Sequence, residues 1–69
     1  MAYIYILTVS TEESSGDWYF STHEKATNFI KDNFSFDSPR KITNELYQGK
    51  INNYVIDNQV IDQEFINQI

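Results

Sequence analysis

Trp18-Tyr19-Phe20-Ser21-Thr22-His23-Glu24-Lys25-Ala26-Thr27-Asn28-Phe29-Ile30 passes from an aromatic, strand-like run directly into a helical pattern. Ser21 and Glu24 have the spacing of a capping box. In that motif the serine oxygen accepts from the backbone N–H three residues on, and the glutamate reaches back to the serine N–H. The junction therefore predicts where a sheet stops and a helix folds back over it. From about residue 22 to 33, Ala26, Phe29 and Ile30, with Phe34 at the end, form one apolar stripe; Glu24, Lys25, Asn28, Lys31 and Asp32 take the opposite side.

Upstream, residues 3–9 alternate as a strand, with Tyr3, Tyr5, Leu7 and Val9 on one face and Ile4, Ile6 and Thr8 on the other. Being apolar on both faces, the strand is expected in the sheet interior, or at an edge covered by a partner. A polar loop over residues 10–17 leads to a short antiparallel strand over 18–20, which together make a hairpin. Downstream, residues 35–38 break the helix, and the following segment supports two readings. Ser38 as cap, Pro39 at the first helical position and Gly49 past the end bracket a second short helix at 39–48. Alternatively, residues 42–48 are a strand and Gly49-Lys50 a hairpin turn, since Ile42 and Leu46 share a face at period two as well. Residues 51–57 read as a strand, Asp57-Asn58-Gln59 as a turn, and Val60-Ile61 as the start of another strand. Beyond these, Asp62 has the character of a cap for a terminal helix whose apolar side is Phe65, Ile66 and Ile69. The expected fold class is α+β: a single domain over residues 1–69, with a small antiparallel sheet covered by one main helix.

Composition narrows the chemistry. With 69 residues and no cysteine, the chain has neither disulfides nor thiolate metal ligands, and its stability must come from packing. Five Tyr, five Phe and one Trp supply the material, and dimerisation would enlarge so small a core. Ten acidic residues against five basic ones give a net charge of −5. Nucleic-acid binding normally needs a basic surface, so this balance argues against it. There is no signal-peptide pattern and no apolar run near the ~20 residues that span a bilayer, so no membrane association is expected and the chain reads as cytoplasmic.

Catalytic patterns are missing. His23 is the only histidine, it neighbours a serine better explained as a cap, and it is expected to face solvent. Gly16 and Gly49 are too far apart for a phosphate-cradling loop. The carboxylate pairs Glu12-Glu13 and Asp62/Glu64 lie in polar segments where nothing would separate their pKa values. The reading is of a protein that is not an enzyme, with no metal site and no cofactor. The aromatic residues and acids suggest an interaction surface instead: if the sheet is antiparallel and its termini lie near each other, Glu12, Glu13 and Asp17 in the first loop and Asp57, Asp62 and Glu64 near the C-terminus would form one acidic rim around an aromatic patch, with Tyr19 as its anchor. Such a rim would steer the molecule towards a basic protein surface.

Three segments, Ile4-Tyr5-Ile6-Leu7, Trp18 through Ala26, and Asn53-Tyr54-Val55-Ile56-Asp57, resemble those of short, uncharacterised proteins from phages and other mobile elements. These proteins begin with a hairpin, enter a helix through an aromatic-Ser-Thr-x-Glu-x-Ala segment and return in a strand ending near an acidic residue. The resemblance spans about two-thirds of the chain. It implies a ββα-plus-strands fold and a phage-encoded protein acting in the host cytoplasm, with a host or antiviral-defence protein as partner. It implies no active residues. The alternatives are a small-molecule or nucleotide-binding module formed at a homodimer interface, and a virion accessory protein.

Overall fold

The computed structural model describes residues 2–61. Strand β1 (Ala2–Ser10) turns through residues 11–14 into β2 (Ser15–Phe20), and the chain then enters helix α1 (His23–Asn33). A single 3-10 turn, Ser35–Asp37, leads to two short strands, β3 (Arg40–Lys41) and β4 (Leu46–Gln48), before the long β5 (Asn53–Ile61). All pairs are antiparallel, and the five strands lie in the order β2-β1-β5-β4-β3. The molecule is a small α+β domain with one helix among the described residues, as expected. The hairpin and the interior position of β1 are as the alternation predicted. Its loop is shorter than expected because Thr11 closes it: its N–H donates to the Ser14 carbonyl at 2.8 Å, and its hydroxyl accepts from the Ser14 N–H at 3.2 Å.

The helix covers one face of the sheet. Leu7 and Val9 from β1, Tyr54 and Ile56 from β5, and Ala26 and Ile30 from α1 form the buried core. Each fully buried aliphatic side chain contributes about 1.5–3 kcal/mol. Ala26 is completely buried, as close approach of helix to sheet requires. Phe29 is half-buried at a junction of rings, with centroids 5.4 Å from Trp18, 5.3 Å from Phe20 and 6.1 Å from Phe34. Phe34 in turn packs edge-on against Tyr54 at 5.3 Å. Much of the aromatic complement is thus absorbed beneath and beside the helix rather than left for a partner.

Three local expectations are corrected. The helix cap is Thr22, not Ser21: Thr22 has the extended backbone of a cap and its hydroxyl accepts from the Lys25 N–H at 3.1 Å. The Ser21 hydroxyl instead accepts from the Lys25 ammonium at 3.0 Å. Two hydroxyl residues in succession make the register ambiguous, and β2, paired up to Phe20, decides it. The second short helix at 39–48 does not form. Ser38 is in the left-handed region at φ 50°, whereas a helix cap needs extended backbone. The Thr43 hydroxyl accepts from the N–H groups of Glu45 and Leu46 at 3.2 and 3.0 Å, folding the segment into a β3–β4 hairpin. The turn at Asp57-Asn58-Gln59 is absent as well. β5 runs straight through it, because β1 pairs along its full length from Ala2↔Ile61 to Ser10↔Asn53 and continuous ladder bonds outweigh the turn preference of Asn and Asp. The expected terminal helix beginning at Asp62 lies outside the described residues.

Candidate functional site

The face of the sheet opposite the helix is set by the pairing register. Side chains of paired residues share a face, so Tyr19, Ile6 and Asp57 form one row across β2, β1 and β5. The next row is Asp17, Thr8, Val55 and Leu46. Neighbouring strands are about 4.8 Å apart, so Asp57 starts about 10 Å from Tyr19 with the Ile6 side chain between them. Tyr19 is 58% exposed and Val55 41%, while Ile4, on the same face of β1, is buried. Thr8 donates its hydroxyl proton to Asp17 at 2.8 Å, which fixes that carboxylate beside its strand. Asp57 accepts from the backbone N–H of Asn58 at 2.9 Å. The face therefore presents an aromatic ring and branched aliphatic groups between two oriented carboxylates.

Of the residues expected to form one acidic rim, Asp17, Tyr19 and Asp57 come together. Glu12 and Glu13 do not join them: they sit exposed at the β1–β2 turn, beyond Ser10, whereas Asp57 stands opposite Ile6. At about 3.4 Å per residue this turn lies more than ~13 Å along β1 from Asp57. Asp57, opposite Ile6 at the middle of β1, is thus kept apart from the turn, and the described acidic residues do not close into one rim. Asp62 and Glu64 lie outside the described residues.

His23 and its neighbour Ser21 are engaged separately. His23 does not face open solvent; its ring is half-buried, 6.0 Å edge-on from Tyr5, and its Nε2 bonds the Asn44 carbonyl at 2.8 Å. It ties the helix start to the β3–β4 turn, while the Ser21 hydroxyl is engaged by Lys25. Among the described residues no group of three or more His, Cys, Asp or Glu side chains is arranged to hold a metal ion. No helix among them is long and apolar enough to cross a membrane.

A second polar centre was not legible in the sequence. Asp37, at the end of the 3-10 turn, is only 1% exposed. Its carboxylate accepts from the Ile51 N–H at 2.6 Å, the Asn52 N–H at 3.0 Å and the Tyr54 hydroxyl at 2.7 Å. Asn52 donates its side-chain amide to the Tyr54 oxygen at 3.3 Å. Burial by itself would raise the Asp37 pKa, but the bonds from Tyr54, Asn52 and Ile51 outweigh it and hold the carboxyl below its ordinary 3.8. Burial and the bond to Asp37 push the Tyr54 hydroxyl up to about 12. Gly49 packs directly over this carboxylate, and a Cβ there would overlap it. The partners are 14 to 17 residues from Asp37 in sequence, so no local pattern could announce the cluster. No family model, curated protein or solved structure matches this chain.

Proposed function

We propose that this protein is a non-enzymatic binding protein that docks a basic patch of a partner protein onto the face of its sheet opposite the helix. The observation that supports this reading is the convergence of Tyr19, Asp17 and Asp57 on that face around Ile6 and Val55. An exposed ring among aliphatic side chains, bordered by carboxylates, is the composition of an interaction hot spot with a charged margin. The net charge of −5 favours a basic partner surface through long-range attraction. The likeness of the strand-to-helix segment to proteins of phages and mobile elements supports a host or antiviral-defence protein as that partner, inhibited by direct binding.

The test is affinity capture from bacterial host cells with three baits: the wild type, Tyr19→Ala and Phe36→Ala. Phe36 is the matched control, since it is 68% exposed but lies in the 3-10 turn rather than on this face. A partner retained by the wild type and Phe36→Ala but depleted with Tyr19→Ala is the expected outcome. Equal recovery with all three baits contradicts the assignment of the face. A nucleotide or metabolite co-purifying in place of any protein would favour the small-molecule module instead.

A further inference from the structure

At the edge of the sheet furthest from β2, Ser38, Arg40, Gln48, Gly49 and Lys50 line an open concavity of about 240 Å³. The unusual backbone and the buried polar groups of the described chain converge on it. Ser38 is the only non-glycine residue among them with a positive φ. Asp37 and Asn52, the two buried polar side chains, lie directly behind its wall. Sparsely populated backbone and buried charge persist only where the surroundings hold them, and they concentrate at ligand sites.

That network makes the wall rigid. The Lys50 N–H donates to the Asp37 carbonyl at 3.0 Å and the Gly49 N–H to the Asn52 carbonyl at 2.9 Å. The Ser38 N–H donates to the Ser35 carbonyl at 3.1 Å. With these amides engaged, the donors left to the concavity are side chains: the Arg40 guanidinium, the Lys50 ammonium, the Gln48 amide and the Ser38 hydroxyl. Arg40 and Gln48 are register partners on β3 and β4, so their side chains start about 5 Å apart on one face. Asp37 lies beneath Gly49, but its carboxylate is already met by three donors on its own side of the wall.

We infer that this concavity is a binding site for the phosphate group of a small ligand. A guanidinium fork beside a mobile ammonium and two neutral donors suits an oxyanion with several equivalent oxygens. The volume is below the roughly 300–1,000 Å³ of pockets that enclose whole drug-sized ligands, so it takes the group and leaves the rest of the molecule outside. The net charge of −5 does not forbid this, because at physiological salt exposed charges are screened beyond about 8 Å. The register puts Arg40 and Gln48 on the same face of the sheet as Tyr19 but on β3 and β4, at the opposite edge from β2, so the site does not share residues with the proposed protein-binding surface and is tested independently of it.

The test is a titration of the full chain with inorganic phosphate at constant ionic strength, followed by amide NMR spectra, with acetate as a parallel arm. Saturable shifts confined to Ser38, Arg40, Gln48, Gly49 and Lys50 are expected, with acetate binding more weakly. Arg40→Gln and Lys50→Gln should each weaken phosphate binding by about tenfold or more, and Lys31→Gln on the helix should leave it unchanged. The ligand-free spectrum of each variant reports whether it is folded. The inference is overturned by shifts that do not saturate, by binding that survives both substitutions, by equal loss with Lys31→Gln, or by acetate binding as tightly as phosphate.

Discussion

Replacing Asp37 with alanine would leave the Ile51 and Asn52 amides and the Tyr54 hydroxyl without their acceptor. Buried donors stranded in this way cost about 1–3 kcal/mol each, so Asp37→Ala should lose about 3 kcal/mol or more in chemical denaturation. Tyr54→Phe removes the bond to Asp37 and the weaker one from the Asn52 amide but leaves both backbone donors paired, and should lose about 1.5–3 kcal/mol. The same cluster sets two pH limits. Asp37 titrates below 3.8 when folded, so its contribution is present above pH 3.8 and is lost as pH falls from there through the folded value. Tyr54 titrates near 12 when folded and near 10 when unfolded. Its contribution is full below pH 10 and disappears as pH rises towards 12. Melting temperature measured across pH should fall at both ends, and in Tyr54→Phe the alkaline fall should shrink. A wild-type alkaline limb that persists in Tyr54→Phe would assign it to other groups.

For the elements, strong periodic signals were legible and competing turn signals were not. The apolar stripe of α1 reads correctly because Ala26, Phe29 and Ile30 repeat at helical spacing on one face. Truncating Phe29 to alanine should cost about 3 kcal/mol; the ring is half-buried, but it joins Trp18, Phe20 and Phe34. The cap was misplaced by one residue because Ser21 and Thr22 are both competent. Thr22→Ala is therefore expected to lose about 0.5–2 kcal/mol, while Ser21→Ala, which removes only an exposed contact with Lys25, stays within about 0.5 kcal/mol of wild type. The reverse ranking in denaturation would return the cap to Ser21. Segment 39–48 misled for a further reason: Pro39 and Gly49 mimic helix start and stop signals while answering to tertiary demands. Gly49 is required by the Asp37 carboxylate beneath it, not by a helix end. Asn58, likewise, is drawn into β5 by its partner Tyr5 in β1. Of the candidate surface, only Tyr19 is read on a strand from the sequence; Asp17 shares its face because β2 begins at Ser15 rather than Trp18, and that Asp57 joins them while Glu12 and Glu13 do not depends on the order β2-β1-β5.

Across the whole molecule, strand order separates charge. Asp17 and the Glu12-Glu13 turn lie towards the β2 edge, and Arg40, Lys41 and Lys50 towards the β3 edge. On the proposed reading a basic partner would be guided to the β2 side, where Tyr19 stands exposed. The carboxylates should govern the rate of encounter and the ring the lifetime of the complex. The most direct measurement is binding kinetics of the captured partner with Asp17→Lys/Asp57→Lys and with Tyr19→Ala, each at low and high salt. The charge reversals should slow association, by a factor that shrinks as salt shortens the screening length. Tyr19→Ala should leave association nearly unchanged and speed dissociation by about thirtyfold, the equivalent of a hot-spot loss of about 2 kcal/mol. Association and dissociation both unaltered by these substitutions would contradict docking on this face.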